Sequence, residues 1–195
     1  MLSMLSLSRE FVDAIRQAHG NELRKIKLSN NGLKDVRNIE HLSPVLAKLD
    51  LSCNDLADLR PLSVLTSLEE LDLSENRVED VAALAQLPRL RCLRLQGNCL
   101  ARLQALEPLR NATALRELSL QGNGLCTEGC NTGDDGGGSY PLNVFKLLPQ
   151  VELVDQWYVP VSSTAVPSSH FESLTVRVCV YLFSGPGRRR KGSQR

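Results

Sequence analysis

One pattern, LxxLxLxxNxL with Ile or Val replacing some leucines, occurs five times between residues 23 and 125. The copies read LRKIKLSNNGL from Leu23, LAKLDLSCNDL from Leu46, LEELDLSENRV from Leu68, LRCLRLQGNCL from Leu90 and LRELSLQGNGL from Leu115. Their starting points lie 23, 22, 22 and 25 residues apart. This near-constant spacing predicts stacked structural repeats, each of which has to bury its apolar face against its neighbours.

The first half of each copy predicts a short strand with one buried face. Apolar and polar residues alternate there, and this period of two is typical of a strand that is half exposed to water. The apolar members are Ile26 and Leu28, Leu49 and Leu51, Leu71 and Leu73, Leu93 and Leu95, and Leu118 and Leu120. The asparagine that follows is predicted to be buried and to bond backbone groups left unpaired at the bend. The column consists of Asn31, Asn54, Asn76, Asn98 and Asn123.

The second half of each copy has apolar residues at every third position. A period of three matches neither an α-helix nor a strand, but it matches the 3₁₀ helix, whose side chains at i and i+3 eclipse. We therefore predict 3₁₀ or irregular turns on the return segment, each filling one layer of core. The rows are Leu33, Val36, Ile39 and Leu42; Leu56, Leu59, Leu62 and Leu65; Val78, Val81, Leu84, Leu87 and Leu90; and Leu100, Leu103, Leu106 and Leu109.

Both ends of such a stack need caps. Residues 8–20 predict an amphipathic helix, with Ser8 as its N-cap, an apolar stripe at Phe11, Val12 and Ile15, and Gly20 as its stop. The Gly-rich segment 126–139 predicts a flexible excursion without a phosphate-binding motif. Residues 140–155 then predict a helix and a final strand that close the core.

The repeat unit and its LxxLxxLxxL return segment resemble the leucine-rich-repeat subclass typified by the regulatory subunit of protein phosphatase 1, the spliceosomal A′ protein and outer-arm dynein light chain 1. Residues 140–155 resemble the C-terminal cap of that subclass. The cap matches are Tyr140, Val144, Pro149, Val151, Val154 and Asp155. The last repeat departs from the subclass, because it reads Gly-Asn-Gly where Gly-Asn-Pro is usual.

The resemblance implies an α/β leucine-rich-repeat solenoid with a parallel β-sheet on its concave face and 3₁₀ or irregular turns on its convex face. It also implies an N-terminal helical cap and a C-terminal helix-strand cap. The expected division is a cap helix at 1–20, five repeats at 21–125, a Gly-rich loop at 126–139, a C-terminal cap at 140–158, and a disordered linker with a basic tail at 159–195.

Charge and hydropathy exclude several classes of partner. The net charge of +1 conceals an acidic body, because five basic residues lie in the last eight positions. A nucleic-acid partner is disfavoured, since the repeats carry no clustered basic surface. No apolar stretch is long enough for a membrane span and no signal peptide is evident, so membrane insertion is not expected. We expect a cytoplasmic protein, with the cilium, the cytoskeleton or the nucleus as further settings.

The sequence contains no recognisable catalytic or metal-binding motif. His19, His41 and His170 have no nucleophile or carboxylate at motif spacing. The six cysteines are expected to be reduced. For Cys126 and Cys130, a local disulfide and half of a metal site are the alternatives. We expect no enzyme activity, no cofactor and no small-molecule substrate.

The polar positions of the five strands form the candidate binding surface. One row holds Lys27, Asp50, Asp72, Arg94 and Ser119, and the other holds Lys25, Lys48, Glu70, Cys92 and Glu117. Asp50, Glu70 and Asp72 suit a basic partner segment, whereas mutual neutralisation by neighbouring charges is the competing interpretation. The candidate partner-binding residues are Lys25, Lys27, Lys48, Asp50, Glu70, Asp72, Arg94 and Glu117.

The resulting functional hypothesis is a non-enzymatic adaptor that binds another protein, with a ciliary or cytoskeletal assembly as its setting. A regulatory subunit of a phosphatase or of a splicing-type nuclear assembly is the alternative. Residues 174–183, a β-prone run, are interpreted as a segment that docks on a sheet edge, binds a partner or has no stable place in the fold. The final GRRRKGSQR is interpreted as a solvated tail or a nuclear-import or anion-binding patch.

Overall fold

A computed structural model describes residues 7–19, 23–42, 45–126 and 140–158 of the chain. The predictions for Gly20, for most of the Gly-rich loop, for the pairing of Cys130 and for residues 159–195 lie outside these ranges. Within them, no helix is long and apolar enough to cross a membrane.

Among the described residues, seven strands form one sheet in chain order. The first five are β1 (Lys25–Lys27), β2 (Lys48–Asp50), β3 (Glu70–Asp72), β4 (Cys92–Arg94) and β5 (Glu117–Ser119), and β6 (Leu153–Val154) and β7 (Trp157–Tyr158) complete the order. Each of β1 to β5 pairs in parallel with the next strand, whereas β7 runs antiparallel to β6. The expected solenoid with a parallel sheet is therefore confirmed, and β7 is a strand that the repeat pattern did not predict.

The sheet encloses an aliphatic core on its inner side. All ten alternating apolar residues predicted for the five strands are buried, from Ile26 and Leu28 to Leu118 and Leu120. Because each strand is only three residues long, the core is built in thin layers, one from each repeat.

The return segments contain the predicted 3₁₀ helices. These helices cover Ile39–His41, Arg60–Val64, Ala82–Gln86, Leu103–Asn111 and Gly124–Cys126. The rows with a period of three are buried with one exception, since Leu103 is only half-buried. The burial predicted for Leu103 was wrong. Leu103 is the first residue of the longest described 3₁₀ helix, and within this helix the side chains of Leu106 and Leu109 are buried.

Four of the five predicted asparagines form a buried ladder. Asn76 is representative: its Nδ2 donates to the carbonyl oxygens of Leu51 and Leu73, both at 3.0 Å, and its Oδ1 accepts the N–H of Leu56 at 3.0 Å. One amide thus joins its own repeat to the preceding one.

Asn31 is the exception, because it is half-exposed. The predicted burial was wrong here for a simple reason: no repeat precedes the first one. Within the part of the chain that the structure describes, its Nδ2 donates only to the carbonyl oxygen of Ser29, at 2.9 Å.

The N-terminal cap is the helix α1 (Arg9–His19). Ser8 is its N-cap, as predicted, and its Oγ accepts the N–H of Phe11 at 3.2 Å. The apolar stripe of α1 is buried at Val12 and half-buried at Phe11 and Ile15.

The C-terminal cap consists of α2 (Tyr140–Leu147), β6 and β7. Leu148, Val151 and Val154 are buried over the last repeat. Asp155 bonds the backbone that follows β5: its Oδ1 accepts the N–H groups of Leu120 and Gln121, at 2.7 and 3.2 Å.

Candidate functional site

The parallel register brings the polar strand positions into two rows on the outer face of the sheet, which we call the concave face. Lys25, Lys48, Glu70, Cys92 and Glu117 form the first row, and Lys27, Asp50, Asp72, Arg94 and Ser119 form the second. Neighbouring strands are about 4.8 Å apart, so residues in one row are direct neighbours. All eight predicted binding residues therefore share one face, and their role in binding stays a prediction.

Two ion pairs neutralise part of this face. Lys48 Nζ binds Glu70 Oε1 across β2 and β3. Arg94 Nη1 lies 4.0 Å from Asp72 Oδ2, at the outer limit of an ion pair. Each partner is partly exposed to water, which screens such pairs to roughly 1 kcal/mol or less.

Asp50 is held by its own strand end rather than by a cation. Its Oδ1 accepts the Oγ–H of Ser52 at 2.7 Å and the Ser52 N–H at 3.1 Å. Asp72 accepts the Ser74 N–H in the same way, at 3.0 Å. Sequence reasoning missed the two serines, although the repeated spacing Asp-Leu-Ser in the second and third copies is a signal that identifies them.

Cys92 lies in the first row but is buried, which corrects its assignment to the solvent-facing positions. Its small side chain lies between the longer Glu70 and Glu117 on the adjacent strands. Burial raises the pKa of the Cys92 thiol to about 11. The thiol is therefore protonated at neutral pH, and it is a poor nucleophile.

A depression of about 310 Å³ is open in this face, lined among others by Lys27, Asp50, Asp72 and Arg94. A larger groove of about 480 Å³ lies on the convex side, beside Asp58, Arg60 and Ala82. Arg60 Nη2 donates to Asp58 Oδ2 at 2.7 Å in that groove, and the third charged residue of its lining, Asp80, accepts the Ala82 N–H at 2.8 Å. The hydrogen bond from Arg60 lowers the pKa of Asp58 to about 2. Because its arginine is already paired with Asp58 and Asp80 bonds a local N–H, the larger groove is the weaker candidate.

The part of the chain that the structure covers contains no cluster of three or more His, Cys, Asp or Glu residues able to hold a metal ion. His41 Nε2 lies 3.7 Å from Glu40 Oε1 on the return segment of the first repeat. Cys126 Sγ lies 3.0 Å from the carbonyl oxygen of Leu120. Neither arrangement pairs a base with a nucleophile.

A family model described as leucine-rich repeat matches residues 4–161. The chain belongs to the leucine-rich-repeat family. The matched range covers the repeats and both caps, in agreement with the fold that the sequence predicts.

Mouse leucine-rich repeat-containing protein 56 is 28% identical to this leucine-rich-repeat chain over 172 residues. The match covers 86% of this chain and 27% of the mouse protein, so the chain spans about a quarter of the length of that relative.

Among solved structures, a chain from the Drosophila melanogaster SNF/U2A′ complex gives a TM-score of 0.64 at 23% identity, with 94% of this chain and 95% of that chain covered. Internalin C2 of Listeria monocytogenes gives a TM-score of 0.52 at 25% identity, with 67% and 50% covered. These likenesses establish the leucine-rich-repeat solenoid.

Proposed function

We propose that this chain is a non-enzymatic adaptor that binds another protein through its concave face, in a ciliary or cytoskeletal assembly. The observation that carries the proposal is the row register. It holds eight charged side chains in fixed order on short strands whose other face is fully packed. Because the strands beneath them are paired on the sheet and packed on the core, binding requires little ordering of this chain.

The chemistry of the face favours a protein partner. Acidic and basic side chains lie on neighbouring strands, about 5 Å apart, at Lys27 and Asp50, Lys48 and Glu70, and Asp72 and Arg94, an arrangement that a polyanion such as nucleic acid cannot match. The concave rows contain no aromatic side chain, so the expected interface depends on charged hydrogen bonds rather than on an apolar anchor.

A regulatory subunit of a phosphatase or of a splicing-type nuclear assembly is the second candidate. The splicing alternative is favoured by the near-complete mutual coverage with the chain from the SNF/U2A′ complex. It ranks second because that likeness is one of fold, at 23% identity. The resemblance to outer-arm dynein light chain 1 motivates the ciliary setting.

The binding proposal is tested by affinity capture with the double variant Asp50→Lys/Asp72→Lys. The matched control is Glu79→Lys/Glu107→Lys, which makes the same change in charge at exposed positions of the return segments. We expect the concave variant to lose a defined set of captured proteins and the control variant to retain it. Equal capture by both variants would show that binding uses another surface.

The cellular setting is tested separately with a fluorescently tagged chain. The primary proposal expects enrichment at cilia or the cytoskeleton, whereas the splicing alternative expects nuclear enrichment. Mass spectrometry of the proteins lost from the Asp50→Lys/Asp72→Lys sample then distinguishes ciliary from splicing components.

A further inference from the structure

The register of the concave face places charges of the same sign directly opposite each other. Asp50 on β2 faces Asp72 on β3, and Lys25 on β1 faces Lys48 on β2. Like charges at directly opposite positions destabilise a sheet. Two such pairs on adjoining strands therefore weaken the sheet unless opposite charges lie nearby.

The neighbouring residues of this chain relieve only part of the repulsion. Lys48 binds Glu70, and Arg94 reaches Asp72 only at 4.0 Å. Asp50 lies in register with Lys27, yet the two form no ion pair within 4.0 Å. Among the residues that the structure describes, Lys25, Lys27 and Asp50 thus have no ion-pair partner.

We infer that the partner segment inserts an arginine between Asp50 and Asp72 and places an acidic side chain on Lys25 and Lys27. This inference rests on the proposed function and names the chemistry of the partner at that site. The depression of about 310 Å³ bordered by these residues provides the space for the arginine. Arginine fits better than lysine, because its planar guanidinium has five donors and can bond two carboxylates at once.

The spacing of the strands sets the spacing in the partner. A guanidinium between Asp50 on β2 and Asp72 on β3 lies one and a half strand spacings from the lysines of β1, or about 7 Å. Residues three or four positions apart on one helical face are separated by about 4.5–6 Å along the helix axis, and the long arginine side chain spans the remaining distance, so an arginine and an acidic residue at this spacing meet both groups. The occupant is therefore a helical protein segment of mixed charge.

The inference is tested without a known partner by selecting short helical peptides from a display library. Selection uses the wild-type chain, with counter-selection on Asp50→Asn/Asp72→Asn. These changes remove two charges while preserving side-chain size. We expect enriched peptides to share an arginine with an acidic residue three or four positions away.

An enriched peptide is then measured by calorimetry. Replacing its arginine by lysine, or Asp50 by Asn in the protein, is expected to weaken binding by about tenfold or more. The control Glu79→Gln, on the return segment, is expected to leave the affinity unchanged. The expected weakening with salt follows from exposed charges.

The outcomes separate this inference from the proposed function. Enriched peptides without the arginine and acid pair overturn the inference and leave the concave face as a binding surface. An absence of enrichment, or enrichment of peptides that bind Asp50→Asn equally well, overturns the inference, and the affinity capture described above decides the proposed function independently. Preferential binding of a nucleic-acid oligonucleotide to the same face contradicts both.

Discussion

The buried asparagines contribute more to stability than their number suggests, because each bonds backbone groups of two repeats. Replacing Asn76 by alanine leaves the N–H of Leu56 unpaired, whereas the carbonyl oxygens of Leu51 and Leu73 keep the amide donors of Asn54 and Asn98. A buried group left unpaired costs about 1–3 kcal/mol, and the two lost bonds to the carbonyl oxygens add to this cost. We expect Asn76→Ala to lower the free energy of unfolding by about 2 kcal/mol or more, measured by urea denaturation.

Asn31→Ala is the matched control for that measurement. Asn31 occupies the same position of the first repeat, but its amide donates only to Ser29 and is half-exposed. The expected loss is about 1 kcal/mol or less. Equal losses for the two variants would mean that the bonds between repeats add nothing beyond a local turn.

The residue before each ladder asparagine has a left-handed backbone. Gly97 has φ 63° there, and Glu75, in the preceding repeat, has φ 55°. A side chain in this region costs about 1–2 kcal/mol, and a Cβ on Gly97 would also lie within 3 Å of the Glu75 carboxylate. We expect Gly97→Ala to lower the free energy of unfolding by about 1–2 kcal/mol.

Glu75→Gly makes the opposite change at the equivalent position. It relieves the left-handed strain, and part of that gain is offset by the greater entropy of glycine in the unfolded chain. The expected net gain is about 0.5 kcal/mol, measured by urea denaturation alongside Gly97→Ala. A destabilised Glu75→Gly would show that its side chain contributes more than its backbone strain costs.

At the residue level, the sequence could predict side-chain direction but not the effects of the ends of the repeat array. The period of two placed every strand leucine correctly, because the pleat leaves no alternative. The burial predicted for Asn31 was wrong, since its repeat has no repeat before it to bond. The burial predicted for Leu103 was wrong, since this residue begins a 3₁₀ helix of nine residues. Cys92 lies in the predicted row, but its thiol is buried between the longer Glu70 and Glu117 on the adjacent strands, which the sequence pattern of one strand does not show.

At the level of elements, a hydrogen bond in the C-terminal cap joins α2 to Asp155, which follows β6. Tyr140 Oη donates to Asp155 Oδ2 at 2.8 Å, while Oδ1 of the same carboxylate bonds the edge of β5. Burial and the adjacent Asp155 carboxylate raise the pKa of Tyr140. The phenol is therefore neutral in the folded protein at any pH at which an unfolded tyrosine is neutral.

This raised pKa gives a prediction with a defined sign. An unfolded tyrosine ionises near pH 10, whereas the folded Tyr140 retains its proton, so the stabilisation is fully present below pH 10 and declines as the pH rises above it. We expect Tyr140→Phe to cost about 1–2 kcal/mol at pH 7. The difference from wild type should shrink above pH 10, when unfolding is followed by circular dichroism in urea.

The same measurement contains its own control. Cys92 also has a raised pKa, but it is present in both proteins and cancels in the comparison. A difference between Tyr140→Phe and wild type that stays constant from pH 7 to about 11 would contradict the role of the phenol proton.

The cap was only partly predictable as a set of elements. The resemblance identified Tyr140 and Asp155 but gave no reason for their contact. The contact holds the Asp155 carboxylate where its Oδ1 accepts the Leu120 N–H. In earlier repeats the equivalent N–H bonds a backbone carbonyl of the next strand. The two-residue strand β7 was missed because it carries no repeat and is too short for an alternating pattern.

At the level of the whole molecule, the repeat predicted the order of charges on the concave face, because a parallel register follows from copies of equal length. The sequence could not predict which charges pair. Lys48 reaches Glu70, whereas Lys27 does not reach Asp50, although both pairs are in register. Pairing depends on rotamers and on competing groups such as Ser52, and no repeat pattern encodes these.

Stability in such an array is a sum of repeats and the interfaces between them, so a terminal layer affects the whole stack. The cap buries Leu148, Val151 and Val154 against the last repeat, and Asp155 bonds its open edge. Burying a large aliphatic side chain is worth about 1.5–3 kcal/mol, so the cap contributes about 5 kcal/mol or more. That is comparable to the total stability of a small domain, about 5–15 kcal/mol.

We therefore expect a chain truncated after residue 158 to unfold cooperatively, and one truncated after residue 139 to lose that transition. Circular dichroism during heating measures both chains, and amide exchange of β5 locates the damage. In the shorter chain the Leu118 and Leu120 amides should exchange fastest, because their strand has lost its neighbour. The same melting temperature for both chains would mean that the five repeats close their core without the cap.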